Sequence, residues 1–83
     1  MAGSPSLRIR KYFGSSTIQE MITTLEDAKG SISYFFTKDG GSNIMVSVEG
    51  QRITSFEQLA RIASQDCYKD RAFVEVGIYL LKE

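Results

Sequence analysis

Ser16-Thr17-Ile18-Gln19-Glu20-Met21-Ile22-Thr23-Thr24-Leu25-Glu26-Asp27-Ala28-Lys29-Gly30 is the stretch on which the fold turns. Ile18, Met21, Ile22, Leu25 and Ala28 recur at helical spacing and form one apolar stripe. Thr17, Glu20, Thr24 and Asp27 lie largely away from it. Ser16 and Gln19 stand three residues apart, as the partners of a capping box do. Gly30 sits where a left-handed C-cap is wanted. The pattern predicts a helix that starts at Ser16 and stops by Gly30.

Before this stretch, Leu7-Arg8-Ile9-Arg10-Lys11-Tyr12-Phe13 alternates as a strand does, with Leu7, Ile9 and Phe13 on one face and Arg8, Arg10 and Tyr12 on the other. Lys11 interrupts the apolar face, which a lysine near a strand end can do by extending its ammonium to water. After it, Ile32 to Thr37 and Ile44 to Val48 read as a hairpin around Lys38-Asp39-Gly40-Gly41-Ser42. A three-residue Asp39-Gly40-Gly41 loop would match Phe36 with Ile44, Tyr34 with Val46 and Ile32 with Val48, which gathers the apolar side chains on one face. Glu49 to Arg52 then turns the chain into a second helix, capped by Thr54 with Glu57 or by Ser55 with Gln58. Phe56, Leu59, Ala60, Ala63 and Cys67 supply its stripe, with Ile62 beside it. Ala72 to Leu81 is a long final strand with Val74, Val76, Ile78 and Leu80 on one face.

Strand, helix, strand, strand, helix, strand is the order of the split βαβ, or ferredoxin-like, arrangement, and the resemblance is architectural only. The expected fold is therefore an α+β two-layer βαββαβ sandwich, a four-stranded antiparallel sheet with two helices on one face. The fourth strand would lie at one edge, beside the first. Residues 1–6 read as a flexible N-terminal segment and residues 7–83 as a single domain. A β-grasp-like layout is the alternative, and it needs a hairpin before the first helix.

Composition narrows the chemistry. The chain has 83 residues, enough for one modest core. Ten basic and ten acidic residues cancel, which argues against a general footprint for nucleic acid or anionic lipid. No apolar run approaches the roughly 20 residues of a membrane span, and the opening residues lack the apolar core of a signal peptide. Cytoplasmic conditions suit a single cysteine.

With no histidine in the chain, Cys67 has no base of that kind, and Ser–His–Asp catalysis is excluded. Cys67 reads instead as a buried member of the second helix's stripe. The acidic residues show no calcium-loop spacing, and one cysteine cannot build a zinc site. The glycine-rich stretch between residues 38 and 43 lies between strands and lacks the phosphate-loop spacing. No cofactor or metal is expected, and the inventory argues against an enzyme.

What remains is the sheet face that the helices leave open. It should carry Arg8, Arg10, Tyr12, Phe35, Met45, Phe73, Glu75, Tyr79 and Leu81, a mixture of aromatics, Met and Arg typical of protein interfaces. Arg10 and Glu75 should pair across neighbouring strands. The expectation is a non-enzymatic interaction or regulatory domain that self-associates, most simply as a dimer, through this face or an edge strand. Two alternatives carry less of the sequence. One is a single-stranded nucleic-acid binder using the arginines and aromatics, although the third strand lacks the basic-glycine-aromatic signature. The other is a small enzyme whose site forms between subunits, with Arg10, Tyr12 and Glu75 as its chemistry.

Overall fold

The computed structural model describes residues 5–37 and 43–80. The chain runs through β1 (Ser6–Phe13), β2 (Ser16–Thr23), α1 (Leu25–Tyr34), β3 (Ile44–Val48), β4 (Gln51–Ile53), α2 (Phe56–Ala63), a 3₁₀ turn (Asp66–Tyr68) and β5 (Phe73–Leu80). The sheet is five-stranded and mixed, in the order β2-β1-β5-β3-β4. β1 and β5 run parallel, and every other neighbouring pair is antiparallel. This overturns the expected four-stranded antiparallel ferredoxin-like sheet.

The difference begins at Gly14-Ser15. These two residues close a tight hairpin in which Phe13 lies opposite Ser16, and Gly14 takes φ +64° as the first central position of such a turn wants. The stretch after it, expected as a helix from Ser16, instead forms β2, rich in the β-branched residues Thr17, Ile18, Ile22 and Thr23. Helix α1 starts only at Thr24, whose side chain accepts a hydrogen bond from the Asp27 amide at 3.0 Å.

The apolar period of residues 18–28 continues through Ile32, so the helix runs on past Gly30, which sits inside α1 and not at its cap. The expected strand from Ile32 to Thr37 is therefore the end of α1 and its exit, where amides bond three residues back: Phe35 to Ile32, Phe36 to Ser33 and Thr37 to Tyr34. The loop expected at Asp39 to Gly41 lies outside the described residues.

Released from that pairing, β3 joins β5, with Val46 opposite Ile78 and Val48 opposite Val76. Glu49 and Gly50, both at positive φ, turn β3 into the short β4, where a plain turn was expected. Helix α2 is capped by Ser55, which accepts from the Gln58 amide, while Gln58 reaches back to the Thr54 amide at 2.6 Å.

Leu7 and Ile9 from β1, Val74, Val76 and Ile78 from β5, and Val46, Val48 and Ile53 pack with Ala28 and Ile32 of α1 and Leu59, Ile62 and Ala63 of α2 in one core. Both helices thus cover the same face. The consequence for function is twofold. The final strand, expected at an edge, is the centre of the sheet, and β2 is an edge in its place. Residues 5 and 6 join the domain as well, with Pro5 buried and Ser6 opening β1.

Candidate binding face and edge

Strand alternation sends Arg8, Arg10 and Tyr12 of β1 away from the core formed by Leu7 and Ile9. The register then sets these side chains in rows across the open face. Ile22, Arg8 and Glu75 form one row, Glu20, Arg10, Gly77, Ser47 and Arg52 a second, and Thr17, Tyr12, Tyr79 and Met45 a third. Phe73 lies at the end of the same face, beneath the Arg8 guanidinium, which stands 4.7 Å from the ring centre.

The charges on this face are largely matched within the chain. Arg10 Nε donates to Glu20 Oε2 at 2.6 Å, and Arg10 Nη1 lies 3.8 Å from Glu75 Oε1. Arg8 Nη1 lies 3.4 Å from the other Glu75 oxygen. The hydrogen bond to Glu20, reinforced by one to Tyr12, pushes the Arg10 pKa above its ordinary value. The same bond holds the Glu20 carboxyl below its own. Two carboxylates thus meet two of the three guanidiniums in these rows, leaving Arg52 of the short β4 as the one without an ion pair among the described residues to attract a phosphate chain.

Tyr12 and Tyr79 stack with ring centres 4.9 Å apart and planes 12° from parallel. Tyr79 also folds over Gly77, where a Cβ would come within 2.8 Å of the ring. Glycine leaves free the space that the ring occupies. Between this stack and the arginines lies a shallow open depression of about 280 Å³, with Gly77 at its floor and Arg8, Arg10, Tyr12, Glu75 and Tyr79 around it. It holds no nucleophile paired with a base. Among the described residues no group of acidic, cysteine and histidine side chains could hold a metal ion.

Of the side chains expected on this face, Arg8, Arg10, Tyr12, Met45, Phe73, Glu75 and Tyr79 occupy it together. Phe35 does not: it is the C-cap residue of α1 and packs against the core from the helix side. Leu81 lies outside the described residues. Glu20 and Gly77 belong to the face without having been singled out. Glu20 was hidden by the helical reading of its segment, whereas a glycine inside a long strand was a signal in plain view. Cys67, expected in the core, is exposed in the 3₁₀ turn beyond α2.

The edge beside this face is more open still. Seven of the eight residues of β2 are exposed, and among the described residues the outer side of the strand has no neighbour in the sheet. Ile18, Met21 and Ile22 stand 54%, 38% and 56% exposed there, with Phe13 beside the turn and Tyr34 on α1 also open. A bulge at Ile18 interrupts the pairing toward the hairpin tip, but Gln19 to Thr23 run in regular register with Lys11 to Leu7. At the opposite edge, β4 has three residues and ends in the buried Ile53.

Among the described residues no helix is long and apolar enough to cross a membrane. Compared with known proteins, the chain matches no family model, no curated protein and no solved structure.

Proposed function

We propose that the protein is a non-enzymatic interaction domain whose docking element is the free edge of β2. One observation carries this: β2 is a long edge strand that bares Ile18, Met21 and Ile22 to solvent. Natural edge strands are usually short, covered, or guarded by proline or outward lysine. β2 has none of these protections along Gln19 to Thr23, and its one charge, Glu20, is held by Arg10. An edge of this kind gains main-chain hydrogen bonds when another strand joins it, and apolar contacts from both faces. In the absence of another partner, the strand it meets is β2 of a second copy, and the two sheets continue through the junction.

Sedimentation velocity over a wide concentration range tests this reading. The wild-type chain should pass reversibly from monomer to dimer, and Ile22→Lys should remain a monomer with unchanged circular dichroism. On dimerisation, hydrogen exchange should slow at those alternate amides of Gln19 to Thr23 that face away from β1. A wild-type chain that stays monomeric at millimolar concentration, or a dimer indifferent to Ile22→Lys, would show the assignment of β2 to be mistaken.

A further inference from the structure

On the helix side of β2 lies a small cleft of about 50 Å³, walled by Ile9, Met21, Ile32, Phe35 and Ile78. Its polar rim is Ser31 and Lys11. Lys11 points to this side of β1, opposite in direction to Arg8 and Arg10, and its ammonium stands 5.6 Å from the centre of the Phe35 ring. Arg8 and Arg10 are paired with carboxylates on the other face of the strand. Among the described residues no carboxylate lies within ion-pair distance of Lys11. A half-buried cation at the mouth of an apolar cleft, with only a ring beneath it, presents a complementary surface to an acid attached to an apolar chain.

We propose that an extended segment of a partner protein adds to β2 as a further strand beside this cleft, placing an aliphatic side chain against its Met21 wall and a carboxylate, two residues away, toward Lys11. The inference rests on the reading of β2 as the docking edge and names what the edge selects. The spacing follows from the register. Met21 faces Ile9, and Gln19 faces Lys11, so a strand laid outside β2 sets alternate residues on the Met21 and Lys11 rows. Lys11 and such a strand lie two strand spacings apart, roughly 9.5 Å, a gap that a lysine and a glutamate close between them. β2 of a second copy offers Lys11 no carboxylate on its own face of the sheet. The only carboxylate of β2 is Glu20, which lies on the opposite face and is engaged by Arg10. The best occupant of the edge is therefore a different chain, one that displaces the self-paired dimer.

A short, terminally blocked peptide with Val, Val and Glu at alternate positions and Thr between them is the probe, titrated by NMR and calorimetry against the full chain. The expected result is binding that perturbs β2, Lys11 and the Ile32–Phe35 end of α1, and that dissociates the dimer. Replacing the peptide Glu by Gln, or making Lys11→Met in the protein, should weaken binding about fivefold, the scale of one partly screened ion pair. The Gln peptide tests the wild-type chain, so the question stays answerable even if Lys11→Met folds poorly. Equal binding of the Glu and Gln peptides would overturn the acid requirement while leaving β2 as the docking edge. No binding of either peptide to a chain that still dimerises through β2 would overturn the partner segment alone. No binding and no dimer would remove both readings.

Discussion

The two edges of this sheet meet the same difficulty in opposite ways. β4 is three residues long and ends in Ile53, only 4% exposed, in one core with Leu59 and Ile62 of α2. β2 is eight residues long, and its aliphatic side chains stand in water. An edge that closes a domain is kept short and covered, whereas one left long and apolar retains free energy to be gained from a partner. The same truncation on each edge should separate the two. Ile53→Ala should cost about 2–5 kcal/mol, because it empties a packed site. Ile22→Ala should change stability by no more than about 0.5 kcal/mol, because little is buried there. Urea unfolding of both variants provides the measurement. Equal losses would mean that β2 is already a structural edge.

The covered side is also locked from its turn. Glu49 holds φ +50°, an uncommon conformation for a residue with a side chain, and that side chain is largely buried. One carboxylate oxygen accepts from the Glu75 amide at 2.7 Å and the other from Arg71 Nη1 at 2.9 Å, while Arg71 lies over the Tyr68 ring. The turn between β3 and β4 is thereby tied to the middle strand and to the segment that follows α2. Glu49→Gln, which keeps the shape and removes the charge, should cost about 1.5–3 kcal/mol in the same unfolding assay. A loss below about 0.5 kcal/mol would show that the geometry of the turn holds this side without the carboxylate.

Between the edges, Gly77 keeps the Tyr12–Tyr79 stack flat against the sheet. In Gly77→Ala the new Cβ would stand 2.8 Å from the present position of the Tyr79 ring. That ring is the far end of a mobile side chain, so it should swing away rather than unfold the strand. The stack would be lost, at about 0.5–1.5 kcal/mol. Near-ultraviolet circular dichroism should report the loss of the stacked tyrosines. β2-mediated association should be unchanged, since the edge lies two strands from Gly77. Weakened association would mean that the open face and the edge form one surface.

The same contrast explains what could be read from the sequence. β1, β5 and α2 were legible because each carries its own signal: Leu7 and Ile9, or Val74, Val76 and Ile78, alternate, and Ser55 with Gln58 marks a helix start. Most of the open-face residues follow from that alternation, which does not depend on strand order. From Ile18 to Phe36, however, apolar residues fall at helical spacing almost without a break, so local periodicity cannot say where the helix begins. The decision is made elsewhere. β1 needs a neighbour on the side away from β5, and Gly14-Ser15 allows the next segment to supply it. Phe35 and Glu20 were misplaced for this reason, each assigned to the wrong kind of element. The exposed edge β2 was invisible because being an edge is a property of the whole sheet.

The smallest expected effect probes how that edge is kept free of net charge. Arg10 holds the Glu20 carboxyl below its ordinary value of 4.5 through their hydrogen bond. A depressed folded value means that the pair's contribution to stability is complete above the unfolded value near 4.5 and is lost as pH falls through the lower folded one. Both side chains meet water, so the change in stability should be slight. An NMR titration should place the Glu20 midpoint below 4.5, and Arg10→Met should return it toward that value. Association should respond more clearly than folding does. Once Glu20 is protonated, Arg8 and Arg10 share the single Glu75 carboxylate, the face beside the edge gains net positive charge, and two copies repel. Dimerisation should therefore weaken below the Glu20 midpoint in the wild-type chain. A Glu20→Gln chain, whose Arg10 has only the Glu75 carboxylate that it shares with Arg8, should associate weakly at neutral pH already, with little further change from this group on acidification. If that variant instead dimerises as the wild type does at neutral pH, Arg10–Glu20 is a surface pair beside the edge and has no part in preparing it.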